Sequence, residues 1–218
     1  MKPLFIKNDV GRKQRTKVGK HAIEFFAGTA LVTKCARELG YNCTSVDYDI
    51  RLNPDYCCNI LSFDYSLFTY PIDFCWFSPD CRLLSRAADQ TNWDKKIIKK
   101  RVYEYKPVTA AAVNSLALVA KTFEIINVLK PRVFIIENPI GRIQHLPGMK
   151  LQGLNRYFVN YIDWGFEYSK ETYIFTNLML PLPVVKSARK APGLRTVQNR
   201  KKRSTIPQAL IEFLLSYL

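Results

Sequence analysis

Short runs of consecutive apolar residues alternate along this chain with longer segments whose apolar residues recur every three or four positions. His21 to Phe26 is the first run and reads as a buried strand, followed by a turn at Ala27-Gly28-Thr29-Ala30. Ala30 to Leu39 then has helical spacing, with Gly40 as its stop. Cys43 to Val46 is the next strand, ending in Asp47-Tyr48-Asp49, and Ile72 to Phe77 another, ending in Ser78-Pro79-Asp80-Cys81. Leu84 to Lys106 is polar and basic, with Trp93 among lysines, and reads as a mobile segment. Thr109 to Leu129 is the clearest helix. Its expected apolar face carries Val113, Leu116, Ala117, Ala120, Phe123, Ile125 and Ile126, and Pro131 ends it. Val133 to Ile136 is a further strand, Leu154 to Ile162 a helix, Tyr173 to Thr176 a strand, and an IPQAL helix follows near Leu218.

All-apolar strands alternating with helices predict an α/β fold, a doubly wound and mainly parallel sheet covered on both faces. Ligands of such sheets bind beyond the carboxyl ends of the strands. Gly28, Asp47, Cys81 and Glu137 all fall at expected strand ends, and therefore on one rim. The length of 218 residues suits one domain, expected at 21–218 after a basic arm at 1–20. No apolar run approaches the roughly 20 residues that span a bilayer, and the basic start lacks the apolar core of a secretory leader. No membrane is therefore expected. The six cysteines, Cys35, Cys43, Cys57, Cys58, Cys75 and Cys81, form no CxxC pair and read as reduced intracellular thiols. His21 and His145 stand apart, so no metal is expected. A net charge of +15 changes the picture most, because an excess of that size favours a polyanion, here nucleic acid.

The chemistry-bearing positions are few. Gly28 in FFAGTA would let backbone approach a nucleoside ligand, and Asp47 could accept hydrogen bonds from ribose hydroxyls. Tyr48 suits either an adenine ring or a place in the core. Cys81 needs a lowered pKa to act as a nucleophile, and Arg82, Arg86 and a nearby helix start are candidate sources of positive potential. Glu137 directly follows Val133-Phe134-Ile135-Ile136, where a carboxylate without a partner or a task would be costly.

Seven motifs in order then carry a resemblance: FAGTAL from Phe26, VDYD from Val46, NIL from Asn59, SPDCRLLS from Ser78, IENPIG from Ile136, WGFEYSKETYIFTN from Trp164 and RSTIPQAL from Arg203. Spanning Ala22 to Leu218, they resemble the cytosine-5 DNA methyltransferase family, particularly its short phage- and large-virus-type members. The resemblance implies a Rossmann-like, S-adenosylmethionine-dependent methyltransferase fold without a large target-recognition domain. It implies that Cys81 adds to cytosine C6, Glu137 holds N3, Asn138 shapes the Glu137 loop, and Lys170 and Thr172 support the flipped base. Phe26, Gly28, Thr29, Asp47, Tyr48, Asn59, Ser78 and Pro79 would line the S-adenosylmethionine pocket. Lys170 stands where the wider family usually has arginine. Asp80 replaces the usual second proline beside the nucleophile, Ala30 a glycine of the cofactor loop, and Asn59 an aspartate. A neighbouring anion disfavours a thiolate. Two alternatives therefore stay open: a catalytically inactive relative acting as a basic DNA-binding module, and an RNA cytosine methyltransferase.

Double-stranded DNA with a flipped base is the expected partner, because a thiol on a sheet rim cannot reach a stacked base. Arg82 and Arg86 would face it, and the segment Ala87 to Tyr105, with Lys95, Lys96, Lys99, Lys100 and Arg101, would close over it or make a solvated basic helix face. A short basic loop at 187–203, ending in Arg200, Lys201, Lys202 and Arg203, takes the place of a target-recognition domain. Short or relaxed sequence preference is the consequence. The same four residues resemble a nuclear import signal, so a monomer in the host nucleus or cytoplasm is expected if the chain is viral.

Overall fold

The structure, a computed structural model, describes residues 19–86, 90–99, 102–146, 149, 154–182 and 204–218. Seven strands form one sheet: β1 (His21–Phe25), β2 (Asn42–Asp47), β3 (Tyr56–Cys57), β4 (Phe74–Phe77), β7 (Val133–Pro139), β8 (Asn155–Asn160) and β9 (Glu171–Thr176). Their order is β3-β2-β1-β4-β7-β9-β8. The first five run parallel, and β9 lies antiparallel between β7 and β8. The expected mainly parallel α/β sheet is present.

Residues along the central strands alternate between two cores, which is why β4 and the start of β7 read as unbroken apolar runs. Ala22, Phe74, Trp76, Val133 and Ile135 face helices α1 (Leu31–Glu38) and α3 (Gln208–Leu215). Ile23, Phe25, Cys75, Phe77 and Ile136 face α2 (Ala110–Leu129). Thr109 caps α2, its hydroxyl accepting from the Ala112 N–H at 3.3 Å. The buried stripe of α2 is Ala112, Ser115, Val119, Thr122 and Ile125; of the expected face Ile125 is buried, Leu116, Phe123 and Ile126 pack partly buried against the core, and Val113 and Ala120 are exposed. By length and composition α2 could span a bilayer, which corrects the expectation of no such run; in this fold it covers the sheet.

Two further expectations fail for physical reasons. The 154–162 segment is a strand, β8, followed by a 3-10 turn at Tyr161–Trp164, and not a helix. Tyr157, Phe158, Tyr161 and Ile162 have helical spacing, but Tyr157, Val159 and Tyr161 also alternate. Six ladder pairings with β9, together with aromatic and β-branched content, favour the strand. The basic segment expected to be mobile, or a helix face, contains an antiparallel hairpin of β5 (Trp93–Lys99) and β6 (Val102–Pro107). Its anchor is Trp93, 5% exposed, which donates its indole N–H to the Leu83 carbonyl at 3.0 Å. The expected arm at 1–20 lies outside the described residues except for its last two, and the loop at 187–203 lies wholly outside them.

Candidate active site

The loops that follow β1, β2, β4 and β7 leave the sheet on one rim. The antiparallel β9 brings its first residues to the same place, with Thr172 paired to Pro139 and Lys170 just before the strand. Gly28, Asp47, Cys81 and Glu137 thus share the rim that the sequence implied.

Two loops on this rim are locked together. Asn138, wholly buried at the end of β7, donates its side-chain N–H to the Pro79 carbonyl at 2.7 Å. Beyond it, Gly141 lies so close to the chain after Cys81 that an added Cβ would stand 2.1 Å from the Leu84 carbonyl oxygen. The Arg142 N–H meets that same oxygen at 2.6 Å. This contact explains the glycine of IENPIG. Cys81, half-buried, is therefore held at a set position relative to Glu137.

Burial pushes the Cys81 thiol up; the Lys170 ammonium pulls it back, while Glu137 and then Asp80 push it further up. The effect of Asp80 has the expected sign, though three larger influences exceed it. Arg82 and Arg86 are not the main source of positive potential. Arg82 wraps Asp80 with several hydrogen bonds, one of them 2.7 Å from Nε to Oδ2, and Arg86 reaches Glu171 at 3.2 Å. Nor does a helix begin at Cys81, since residues 82–84 form a turn. The cation that favours the thiolate is Lys170.

Glu137 is 5% exposed, yet its Oε1 has two partners. The Tyr161 hydroxyl donates to it at 2.6 Å, and the Lys170 Nζ stands 3.8 Å away. Lys170 also sits 4.6 Å from the centre of the Tyr161 ring. Burial and the Glu137 charge hold the Tyr161 phenol well above its ordinary pKa, so it stays protonated. Asn160 accepts from the Lys170 N–H at 3.0 Å, and the buried Thr172 donates to the Lys170 carbonyl at 3.3 Å. A thiol, a buried carboxyl and an ammonium in this arrangement can add to an electron-poor ring and hold a proton on it.

The other half of the rim is built from backbone. Phe26, Gly28 and Ala30 all have φ between 53° and 57°, the left-handed region. Asp47 binds this loop: Oδ2 accepts from the Gly28 N–H and Oδ1 from the Asp49 N–H, both at 2.9 Å. Each oxygen keeps a second lone pair for a ligand. Tyr48 is 73% exposed, so it is no core aromatic. Asn59 accepts from the Leu61 N–H at 3.0 Å, which engages the carbonyl expected to face a ligand. Thr29 is exposed, while Ser78 accepts from the Trp76 indole at 3.0 Å. A cavity of ≈ 390 Å³ between α1 and α3 involves none of these residues; Cys35, Tyr41 and Glu212 help to line it.

Of the expected nucleic-acid residues, Lys95 and Lys96 are exposed on the hairpin with Ile97 and Ile98. The side chain of Lys99, and all of Lys100, Arg101, Arg200, Lys201, Lys202 and Arg203, lie outside the described residues.

No family model matches the chain. A protein of Frog virus 3 (isolate Goorha) named "Probable DNA (cytosine-5)-methyltransferase" is 32% identical over 163 residues, covering 72% of this chain and 70% of that one. The chain belongs to the DNA (cytosine-5)-methyltransferase family. The fold agrees. An E. coli prophage protein titled "putative DNA modification methyltransferase" superposes with a TM-score of 0.51 at 16% identity, covering 72% of this chain. The Entamoeba histolytica methyltransferase EhMeth superposes with a TM-score of 0.52 at 13% identity, covering 84% of this chain. The chain spans 46% and 61% of those two structures, so it is much shorter than either.

Against the family pattern, the sequence reading missed Tyr161. It lies 24 positions from Glu137, and only the β7-β9-β8 order joins them. It also missed the hairpin, whose signal was present: Tyr103, Glu104, Tyr105 and Lys106 alternate apolar and polar.

Proposed function

We propose that this chain transfers a methyl group from S-adenosylmethionine to C5 of a flipped cytosine in double-stranded DNA, through a covalent adduct on Cys81. The observation that carries the reading is the bond from Asn138 to the Pro79 carbonyl, which joins the loop bearing Cys81 to the strand end bearing Glu137. The Frog virus 3 relative, named for the same reaction, supports it.

The residues present fit the cofactor. A Cβ at Gly28 would meet nothing within 4 Å, so the loop leaves open space, and Tyr48 offers an exposed ring next to Asp47. Gly28, Thr29 and Asp47 would hold the nucleoside, with Tyr48 against its ring and Phe26, Asn59, Ser78 and Pro79 around it. Bound S-adenosylmethionine supplies an electrophilic methyl group. Cys81 adds as a thiolate to cytosine C6, helped by the ammonium of Lys170. Glu137 holds N3 and lends it a proton, so that electron density gathers at C5. Loss of the C5 proton to a base then lets the thiolate leave. Asn138 keeps the two loops in register, and Thr172 fixes the backbone of Lys170.

DNA would lie across this rim against the hairpin. Lys95 and Lys96 are exposed on it and have no carboxylate partner among the described residues, which suits them to phosphates. The surface pairs of Arg82 and Arg86 are weak enough to exchange for phosphate. Short or relaxed sequence preference follows from the absence of a large insert between Asn177 and α3.

Asp80 next to Cys81, and Ala30 in the cofactor-side loop, favour a second reading, a DNA-binding relative without transfer. One experiment separates the two: label from S-adenosylmethionine is followed into unmethylated DNA with wild type and Cys81→Ala. Label recovered as 5-methylcytosine and abolished by the substitution supports the enzyme. A wild type that binds DNA and transfers nothing supports the second reading.

A further inference from the structure

Glu137 has two carboxyl oxygens, and among the described residues only Oε1 has a hydrogen-bond or ion-pair partner. Oε1 receives the Tyr161 hydroxyl at 2.6 Å and faces the Lys170 ammonium at 3.8 Å; neither contact uses Oε2. Tyr161 is itself immobile. It is fully buried, its N–H donates to the Lys170 carbonyl at 3.2 Å, and the Phe166 ring meets it edge-on with centroids 5.5 Å apart. A phenol so placed fixes the plane of the carboxyl group. The ion pair alone would not, because an ammonium is a point charge with no preferred plane.

We propose that Tyr161 is a positioning residue for methyl transfer: its hydroxyl pins Oε1 of Glu137 and thereby aims Oε2 at ring nitrogen N3 of the substrate cytosine. This rests on the function proposed above. Glu137, a carboxylate beside Lys170 in the free protein, takes up a proton from solvent on Oε2 as the base enters. As Cys81 adds to C6, the Oε2–H bond breaks and the N3–H bond forms. The electron pair stays on the carboxylate, where the Tyr161 hydroxyl and Lys170 stabilise it through Oε1. When the thiolate leaves, the proton returns from N3 to Oε2. Tyr161 never gives up its own proton.

The test is Tyr161→Phe in the full chain, which keeps the ring against Lys170 and Phe166. Two target bases are compared in the same DNA: cytosine, and 5-azacytosine, whose extra ring nitrogen makes C6 electron-poor without help at N3. On cytosine, kcat for methyl transfer should fall about 10- to 100-fold, the range for one lost hydrogen bond to a charged group, with KM for DNA within about twofold. On 5-azacytosine, the rate of forming the denaturant-resistant protein–DNA adduct should stay within about threefold of wild type. Equal slowing on both bases would mean a merely structural role and overturn the inference, as would an unchanged kcat on cytosine. A wild type with no transfer at all would instead defeat the underlying reading.

Discussion

On the β4–β7 side of the rim, Glu137, Asn138 and Lys170 are buried side chains whose partners are equally buried. On the β1–β2 side, the loop from Phe26 to Ala30 is held by backbone hydrogen bonds, by the Asp47 carboxylate on the Gly28 N–H and by residues in the left-handed region, with Tyr48 and Asn59 exposed beside it. The first side is preorganised by packing and charge, where each missing partner leaves an uncompensated group in a poorly solvated place. The second is preorganised by chain conformation, where a change costs only the local preference of one residue. Substitutions on the two sides should therefore differ several-fold in their effect on stability.

Lys170→Met should have the largest effect, since it leaves the Glu137 charge without a cation while keeping the side-chain volume. A loss of about 3–5 kcal/mol is expected, read from the urea midpoint, with methyl transfer falling below detection. Adding Glu137→Gln should restore most of the stability and none of the activity. An unchanged midpoint for Lys170→Met would erase the contrast.

Glu24 tests the boundary between the two sides, because it is a buried carboxyl beneath the backbone-built loop. Its Oε2 accepts from the Thr33 N–H at 2.7 Å and the Thr33 hydroxyl at 2.6 Å. Burial nevertheless raises its pKa from 4.5 to about 7. Between those values the folded protein holds a proton that the unfolded chain has released. The Glu24 contribution to stability is thus full below pH 4.5 and is lost as pH rises through about 7, by on the order of 3 kcal/mol. Glu24→Gln cannot ionise, so melting curves should show its advantage over wild type growing from pH 5 to pH 8. A constant difference across that range would show that Glu24 does not titrate as described.

Ala30→Gly should have the smallest effect and the opposite sign. Ala30 has φ 53°, a conformation that costs an L-residue about 1–2 kcal/mol and glycine little. Part of that gain is lost to the greater freedom of glycine in the unfolded chain. A net stabilisation of about 0.5 kcal/mol, seen as a small rise in the urea midpoint, would confirm that strain on this side is local. A destabilisation above about 1 kcal/mol would place the Ala30 methyl group in a packing role.

How much was legible follows from where each signal lies. β4 and β7 were readable because strands buried on both faces leave unbroken apolar runs, and β1 and β2 from shorter apolar stretches interrupted by buried Glu24, Thr44 and Ser45; the polar residue after each marks the rim. α2 was readable in extent, from Thr109 to Leu129, but not in orientation, since apolar residues surround it and only packing selects the Ala112–Ile125 stripe. β8 was misread because its alternation also fits helical spacing, and its pairing with β9 decides between them. The cofactor-side positions were locatable, yet the engagement of Asp47 with Gly28 and of Asn59 with Leu61 was not, because both depend on loop conformation.

By itself the sequence determined the run of β1, α1, β2, β4, α2 and β7, the rim on which Cys81 and Glu137 lie, and the family, because local patterning and motif order are properties of the chain alone. Only the tertiary structure decided which groups meet on that rim. The antiparallel insertion of β9 beside β7, and of β8 beyond it, carries Lys170 and Tyr161 to Glu137. The same packing turns Arg82 onto Asp80 and leaves Lys170 as the cation that favours the Cys81 thiolate. A buried charge takes whichever partner the fold brings within a few ångströms, and sequence separation carries no record of that distance.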